Sequence, residues 1–273
     1  MPIARNGHTA IHWEATGSGE PLLLIMGLGG SSQAWYRLLP HLEGTGRRVI
    51  RFDNRGTGRS DRIDGGVHLA DMVRDALAVL DAAGEPSADV LGVSMGGMVA
   101  QHLALEHRAR VRSLMLGCTT AHARTGMPPW RLLTASAIRQ IAPDRALDLI
   151  APALYAERTR REHPERILQD FAVRRAEATP GATFLAQMRA IAGHDVRRRL
   201  PELEGLRVTV IHGEEDALVP PARGRELARL IPGAVAAPIP GAGHLLLTDA
   251  EEATVAAVLG HLTGAPGRER VAS

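Results

Sequence analysis

Residues 88–107 read Ala-Asp-Val-Leu-Gly-Val-Ser-Met-Gly-Gly-Met-Val-Ala-Gln-His-Leu-Ala-Leu-Glu-His, and the rest of the chain can be understood around them. The apolar run at 90–93 is typical of a short buried strand, and apolar residues recur at helical spacing after residue 97. Ser94 lies on the turn between them, inside a Gly-x-Ser-x-Gly pattern. So sharp a turn strains its central residue and needs small neighbours, which the glycines provide. The pattern predicts a serine nucleophile raised above a sheet, beside the free N–H groups of a helix start.

Composition limits the class of protein. The 273 residues are 45% hydrophobic, which fits one large domain, or one domain with an insertion. All 32 basic residues are arginines and the net charge is only +2, so we expect solvated helix faces and no nucleic-acid surface. Cys118 is the single cysteine, which excludes an intramolecular disulfide and a cysteine-rich metal site. We expect no metal, no cofactor and no membrane contact, and a cytoplasmic location.

Strands and helices alternate up to residue 118. Strands are predicted at 8–15 (an edge strand), 22–26, 48–52, 90–93 and 111–118, with helices after residue 31, at 68–83 and after residue 97. This alternation predicts an α/β fold with a doubly wound, mostly parallel sheet. Active sites of such sheets lie at the carboxyl ends of the strands. The turn at 27–28, the loop at 53–60 and Ser94 should therefore share one rim.

The loop at 53–60 is rich in glycine, but it is not a phosphate cradle. It lacks the Lys-Ser/Thr ending and the G-x-G-x-x-G spacing of phosphate-binding loops. We interpret Asp53 and Arg55 as structural residues that brace this loop beneath the site.

Residues 119–200 interrupt the alternation. Helices are predicted at 129–141, 143–156, 164–178 and 182–192, with no strand among them. The sheet resumes with strands at 207–212 and 235–239 and helices at 223–230 and 249–262. We therefore predict a core of residues 1–118 and 201–263, a helical lid at 119–200 and a disordered tail at 264–273. The lid is expected to set substrate choice and not the chemistry.

Two further side chains, a base and an acid, complete the chemistry that a serine nucleophile requires. A serine hydroxyl needs a base to take its proton, and the base needs an acid to orient it. His244 follows the strand at 235–239, in a loop that contains Gly241 and Gly243, and is the candidate base. Glu214, Glu215 and Asp216 all follow the strand at 207–212, and any of them could orient an imidazole. We favour Asp216 because it lies deepest in its turn.

These motifs resemble those of the α/β-hydrolase superfamily over nearly the whole chain. The residues that carry the resemblance are Asp53-x-Arg55-Gly56-x-Gly58-x-Ser60, Gly92-Val-Ser94-Met-Gly96-Gly97, Leu200-Pro201, His212-Gly213-x-x-Asp216-x-x-Val219-Pro220 and Gly241-x-Gly243-His244. The chain order Ser, Asp, His is the order of this superfamily. Within it the chain is similar to small esterases, enol-lactonases and cofactor-free haloperoxidases. Many relatives carry His-Gly after their third strand. The Met26-Gly27 found here resembles the anthracycline methylesterase-like branch.

The resemblance implies a serine esterase or lactonase. It assigns a catalytic triad to Ser94, Asp216 and His244, and an oxyanion hole to the N–H groups of Leu28 and Met95. The expected substrate is a small-molecule ester or lactone that is cleaved through an acyl-enzyme.

Alternative functions stay open. The same triad serves perhydrolases of the haloperoxidase type and C–C bond hydrolases, and some relatives are weakly catalytic ligand receptors. Ser94 excludes epoxide hydrolases and haloalkane dehalogenases, which need a carboxylate at that position. Residues of the predicted lid that could contact substrate are Met127, Trp130, Leu154, Phe184 and Met188. If the lid supplied a catalytic group, His122 would be the first candidate. A homodimer is compatible with the sequence.

Overall fold

The computed structural model describes residues 2–63, 65–123, 134, 143–177 and 179–264. Eight strands form one sheet in the order β1-β2-β4-β3-β5-β6-β7-β8. They are β1 Ile3–Asn6, β2 Thr9–Thr16, β3 Glu20–Ile25, β4 Arg47–Phe52, β5 Ala88–Val93, β6 Val111–Gly117, β7 Val208–Gly213 and β8 Val235–Ile239. Strands β3 to β8 pair in parallel, whereas β2 is antiparallel to both of its neighbours. The predicted α/β fold with a mostly parallel sheet is confirmed.

Helices cover both faces of the sheet. In chain order they are α1 Leu39–Leu42, α2 Leu69–Ala82, α3 Met95–Glu106, α4 Pro143–Leu154, α5 Glu157–Glu162, α6 Pro164–Ala176, α7 Gly181–Ala192, α8 Pro221–Leu230, α9 Leu246–Asp249 and α10 Glu251–Thr263. Strand β3 shows why two layers form: Leu23 and Ile25 belong to the core under α2, α3 and α8, while Leu22 and Leu24 belong to the core under α1 and α10. Because both faces of β3 are covered, its residues from Pro21 to Ile25 form a continuous apolar run.

The amino-terminal strands differ from the prediction. The strand predicted at 8–15 is β2, but it is not at the edge, because β1 pairs with its outer side. Asn6 pairs with Thr9, which leaves a two-residue hairpin loop. Gly7 in that loop has φ 59°, a conformation that glycine adopts without strain. The edge strand on this side of the sheet is therefore the short β1, which the sequence pattern did not predict.

The remaining differences are small. The helix predicted at 249–262 is divided at Ala250 into α9 and α10, and α5 was not predicted. The helix predicted at 129–141 lies outside the described residues, apart from Thr134. The predicted tail also lies outside them beyond Gly264. No helix in the described part of the chain has both the length and the apolar character needed to cross a membrane.

The insertion between β6 and β7 leaves and rejoins the core at one place. Ala123 N–H donates to the His194 carbonyl at 2.8 Å, and Val196 N–H donates to the Ala121 carbonyl at 2.9 Å. Together they form an isolated antiparallel bridge. Helices α4 to α7 follow one another between these two paired ends.

Candidate active site

Ser94 occupies a strained turn between β5 and α3. Its backbone has φ 55° and ψ −122°, outside the regions that residues with a side chain normally adopt. The glycines around it are required because neighbouring backbone atoms approach them too closely for a side chain. A Cβ at Gly96 would lie 2.1 Å from the carbonyl oxygen of Ile25, and one at Gly92 would lie 2.3 Å from that of Gly96. The small residues therefore let α3 begin directly against the sheet, with Ser94 at its tip.

His244 and Asp216 meet at the same rim of the sheet. His244 follows β8 and Asp216 follows β7, and His244 Nδ1 lies 2.8 Å from Asp216 Oδ2. The Asp216 side chain is fully buried. Its other oxygen, Oδ1, accepts the backbone N–H groups of Leu218 at 3.0 Å and of Val219 at 2.8 Å. Both carboxylate oxygens thus have hydrogen-bond partners, and these partners fix the orientation of the carboxylate.

Electrostatics keep Asp216 ionised. Burial by itself raises the pKa of this carboxyl, but the neighbouring His244 and His212 outweigh it, and the pKa lies well below its usual value. An ionised carboxylate can only accept hydrogen bonds, so the proton between the two groups resides on His244 Nδ1. The other ring nitrogen, Nε2, is then free to act as a base.

His212 is a second imidazole beside Asp216. Its Nε2 lies 2.8 Å from the carbonyl oxygen of Val219 and 3.4 Å from Asp216 Oδ2. A carbonyl only accepts, so Nε2 carries the proton and points toward both oxygens. In the sequence, His212 stands out only as part of the motif His212-Gly213-x-x-Asp216. Its position four residues before Asp216 was the available signal for this contact.

The two glutamates next to Asp216 have other surroundings. Glu214 and Glu215 are both exposed. Glu215 Oε2 accepts the backbone N–H of Glu157 at 3.2 Å. Among the contacts of the described residues, Asp216 is the acid of the three that reaches His244.

The loop after β3, residues 26–31 and called the β3 loop below, passes directly against Ser94. A Cβ at Gly27 would lie 3.0 Å from the Ser94 Cβ, so glycine is needed for this approach. The backbone N–H groups of Leu28 and Met95 donate no hydrogen bond to any residue that the structure describes. Leu28 lines the cavity that Ser94 also lines, whereas Met95 is fully buried and is absent from the described lining. The Ser94 hydroxyl likewise has no hydrogen bond to His244; such bonds often tighten only when substrate is bound.

The loop after β4, residues 53–60 and called the β4 loop below, braces the β3 loop. Asp53 is buried, and its Oδ1 accepts the N–H of Ser32, the residue directly after the β3 loop, at 2.7 Å. Asn54 Nδ2 donates to the Met26 carbonyl at 2.8 Å. Arg55 pairs with a carboxylate of α2 through Nε at 2.6 Å. These contacts agree with a structural role for Asp53 and Arg55.

Ser94 and His244 line the wall of one cavity of about 340 Å³. This volume suits a small to medium-sized ligand, and most of its lining is apolar, as is usual for ligand pockets. Three of the predicted substrate contacts line it: Leu154, Phe184 and Met188. The other two, Met127 and Trp130, lie outside the described residues.

His122 does not line this cavity. It lies at the base of the insertion, where its Nε2 is 3.5 Å from Glu226 Oε2. Burial, together with nearby Arg223, lowers the pKa of His122. The imidazole is thus engaged with α8, away from the cavity.

One cluster in the described part of the chain consists of residue types that can bind a metal ion. Cys118, His212 and Asp216 place one ligand-type atom each within 4.8 Å of one another. The donor set does not fit a metal ion. Burial raises the pKa of the Cys118 thiol, which keeps it protonated, and Asp216 already accepts hydrogen bonds on both oxygens.

The fold and the site define the class of protein: the chain belongs to the alpha/beta hydrolase fold family, which matches residues 20–251. It is 34% identical over 242 residues to the "Putative carbamate hydrolase RutD" of Variovorax paradoxus, covering 86% of this chain and 89% of the relative. It is 31% identical over 278 residues to the rhodomycin D methylesterase DauP of Streptomyces sp. strain C5, covering 90% of this chain and 91% of that relative. The enol-lactonase from Burkholderia xenovorans superposes with a TM-score of 0.84 at 26% identity, covering 96% and 100%. The predicted superfamily is confirmed.

Proposed function

We propose that this protein hydrolyses a carboxylic ester or a lactone through an acyl-enzyme formed on Ser94. The observation that carries the proposal is the pairing of His244 with Asp216 at 2.8 Å on the wall of the cavity that Ser94 also lines. Nucleophile, base and orienting acid then stand at the carboxyl ends of three parallel strands. The relatives named as a methylesterase and an enol-lactonase support the same chemistry.

The steps follow from the roles of these groups. His244 Nε2 takes the Ser94 proton as Ser94 Oγ bonds to the acyl carbon, and the carbonyl electron pair moves onto oxygen. The N–H groups of Leu28 and Met95 donate to this oxyanion, and the second also benefits from the helix dipole. When the C–O bond breaks, His244 gives its proton to the leaving alcohol. Water then enters and loses a proton to His244 as its oxygen bonds to the acyl carbon. The bond between the acyl carbon and Ser94 Oγ breaks, His244 returns the proton to Ser94 Oγ, and the acid is released. Asp216 holds the imidazole throughout.

We further propose that the insertion at 119–200 is the lid of this site. Three of its side chains form part of the apolar cavity wall: Leu154, Phe184 and Met188. An apolar cover excludes water and strengthens the electrostatic interactions inside. The acyl or ring portion of the substrate would contact these side chains.

A carbamate is the second candidate substrate. The relative with 34% identity carries that activity in its name, and a carbamate presents the same kind of carbonyl to a serine. Its nitrogen donates electrons to the carbonyl, so the acyl-enzyme should form more slowly than with an ester.

The test compares Ser94→Ala with the wild type on p-nitrophenyl acetate, a γ-lactone and a phenyl carbamate. Loss of the nucleophile should lower kcat about 10⁴-fold or more. Ser87→Ala is the matched control, because Ser87 is also half-buried but lies outside the cavity lining. A phosphonate ester should add one covalent adduct, at Ser94.

Retention of more than a tenth of the activity in Ser94→Ala would reject the assignment. A wild type that shows no burst of nitrophenol and no turnover on the whole panel would favour a ligand receptor. Faster transfer of the acyl group to hydrogen peroxide, which forms a peracid, than to water would favour perhydrolysis.

A further inference from the structure

Gln187 joins the insertion to the active-site loops. It lies on α7, is fully buried and uses both ends of its amide. Its Oε1 accepts the backbone N–H of Gly29 in the β3 loop at 2.9 Å. Its Nε2 donates to the carbonyl of Arg55 in the β4 loop at 3.1 Å. One side chain thus links α7 to two loops that follow neighbouring strands.

Two residues of the insertion bind the β3 loop at Gly29, one at its N–H and the other at its carbonyl. Gln187 binds the N–H of Gly29, and the Thr179 hydroxyl donates to the Gly29 carbonyl at 2.8 Å. Gly29 has φ 66°, as in the third position of a type II turn, and Gly30 N–H donates to the Gly27 carbonyl at 3.2 Å to close that turn. The peptide that contains this Gly27 carbonyl also contains the N–H of Leu28. The orientation of that N–H therefore depends on the turn that Gln187 and Thr179 hold.

The loop needs such support, because its sequence is flexible. Gly27, Gly29 and Gly30 surround Leu28, and glycine has the largest backbone freedom of any residue. Without an acceptor for its N–H, the Leu28–Gly29 peptide could rotate into other turn types. An oxyanion donor accelerates a reaction only when it is already aimed at the position of the developing charge.

We propose that Gln187 is a positioning residue, which keeps the Leu28 N–H directed at the oxyanion through its hydrogen bond to Gly29. This inference rests on the proposed function. It also revises the expectation that the insertion sets only substrate choice. Gln187 is absent from the described lining of the cavity, whereas Phe184 and Met188 on the same helix are part of it. Gln187 should therefore affect kcat and leave KM nearly unchanged.

The experiment replaces Gln187 with residues of similar length. Gln187→Met removes both hydrogen bonds, whereas Gln187→Glu keeps an acceptor for the Gly29 N–H. Thr183→Val is the control, because Thr183 is buried one turn earlier on α7 and faces Gly56 of the β4 loop. Steady-state kcat and KM on p-nitrophenyl acetate are measured with each variant. The affinity for a trifluoromethyl ketone, which forms a tetrahedral oxyanion on serine, is measured as well.

Gln187→Met should lower kcat by about 10- to 100-fold, less than the roughly 10²–10³ lost when an oxyanion donor is deleted. The ketone affinity should fall by a similar factor, KM should stay within about twofold, and Gln187→Glu should recover most of the loss. A Gln187→Met enzyme with unchanged kcat and ketone affinity overturns the proposal. So does a loss that Gln187→Glu does not reduce, or an equal loss in Thr183→Val.

Failure of the proposed function would look different. In that case Ser94→Ala would keep its activity, and no Gln187 variant would be informative about an oxyanion. If Gln187→Met does not fold, as judged by its thermal unfolding, the comparison of Gln187→Glu with the wild type decides. Glutamate cannot donate to the Arg55 carbonyl when ionised, but it retains the Gly29 contact.

Discussion

Replacing Asp216 with asparagine tests the triad most directly. Asp216 Oδ1 accepts two backbone N–H groups, from Leu218 and Val219, and Oδ2 faces His244 Nδ1 at 2.8 Å. An asparagine has one acceptor oxygen and one NH₂ group. The oxygen must go to the two backbone donors, since an NH₂ group there would oppose both of them. The NH₂ group is then forced toward His244.

This forced orientation fixes the wrong tautomer of His244. Facing an NH₂ donor, Nδ1 must become an acceptor, and the ring proton moves to Nε2. The base that should take the Ser94 proton is then already protonated. His212 adds to the mismatch, because its Nε2–H also points at the position of Oδ2, 3.4 Å away. The corresponding exchange in serine hydrolases lowers kcat about 10⁴-fold, which corresponds to about 5.4 kcal/mol.

The assay is kcat on a short acetate ester, with Glu215→Gln as the matched control. Glu215 is exposed and does not reach His244, so its amide should keep kcat within about twofold. Thermal unfolding of both variants shows whether the fold survives. A loss below tenfold in Asp216→Asn, or equal losses in the two variants, would refute the reasoning.

Two further predictions concern the cavity wall and acid stability. Met188→Ala should raise KM and shift the acyl-chain preference toward longer chains, while kcat on the acetate ester changes less than twofold. Both are measured in a series of p-nitrophenyl esters, and a loss of kcat as large as that of Ser94→Ala would contradict the prediction. Burial, with Arg207 nearby, lowers the pKa of His261 to about 4; the unfolded chain takes up this proton below about pH 6.5, so the free energy of unfolding should fall between pH 6.5 and 4. His261→Gln should reduce that fall, by up to roughly 3 kcal/mol, in urea unfolding at several pH values; an unchanged pH slope would contradict the assignment.

Much of the fold could be predicted because its determinants are local. Strand β3 is apolar and buried from Pro21 to Ile25 since both of its faces are covered, and this pattern is visible in the sequence. The glycines at 92 and 96 indicate the close approach of α3 to the sheet. His244 and Asp216 could be proposed as partners because parallel strands deliver their exit loops to one rim.

Other features depend on contacts that no local pattern reveals. Strand β1 has only two apolar residues, Ile3 and Ala4, and is a strand because β2 offers it an edge. Gln187 lies 158 residues from Gly29 in the chain, and a glutamine on an amphipathic helix is normally expected to face solvent. The tautomer of His212 follows only from the position of the Val219 carbonyl. These are tertiary hydrogen bonds, and their partners are fixed by the fold.

The paired ends of the insertion make it an exchangeable cassette. Ala121 and Ala123 are already bonded to Val196 and His194, so a segment of a different length could enter between them without changing the register of β6 or β7. Longer segments cost little extra closure entropy. The evolution of new substrate ranges, or a laboratory swap of this segment, would then be limited less by the register of the sheet than by the hydrogen bonds that the insertion makes with the active-site loops. Any replacement cassette must bring an acceptor for the N–H of Gly29 and a donor for its carbonyl.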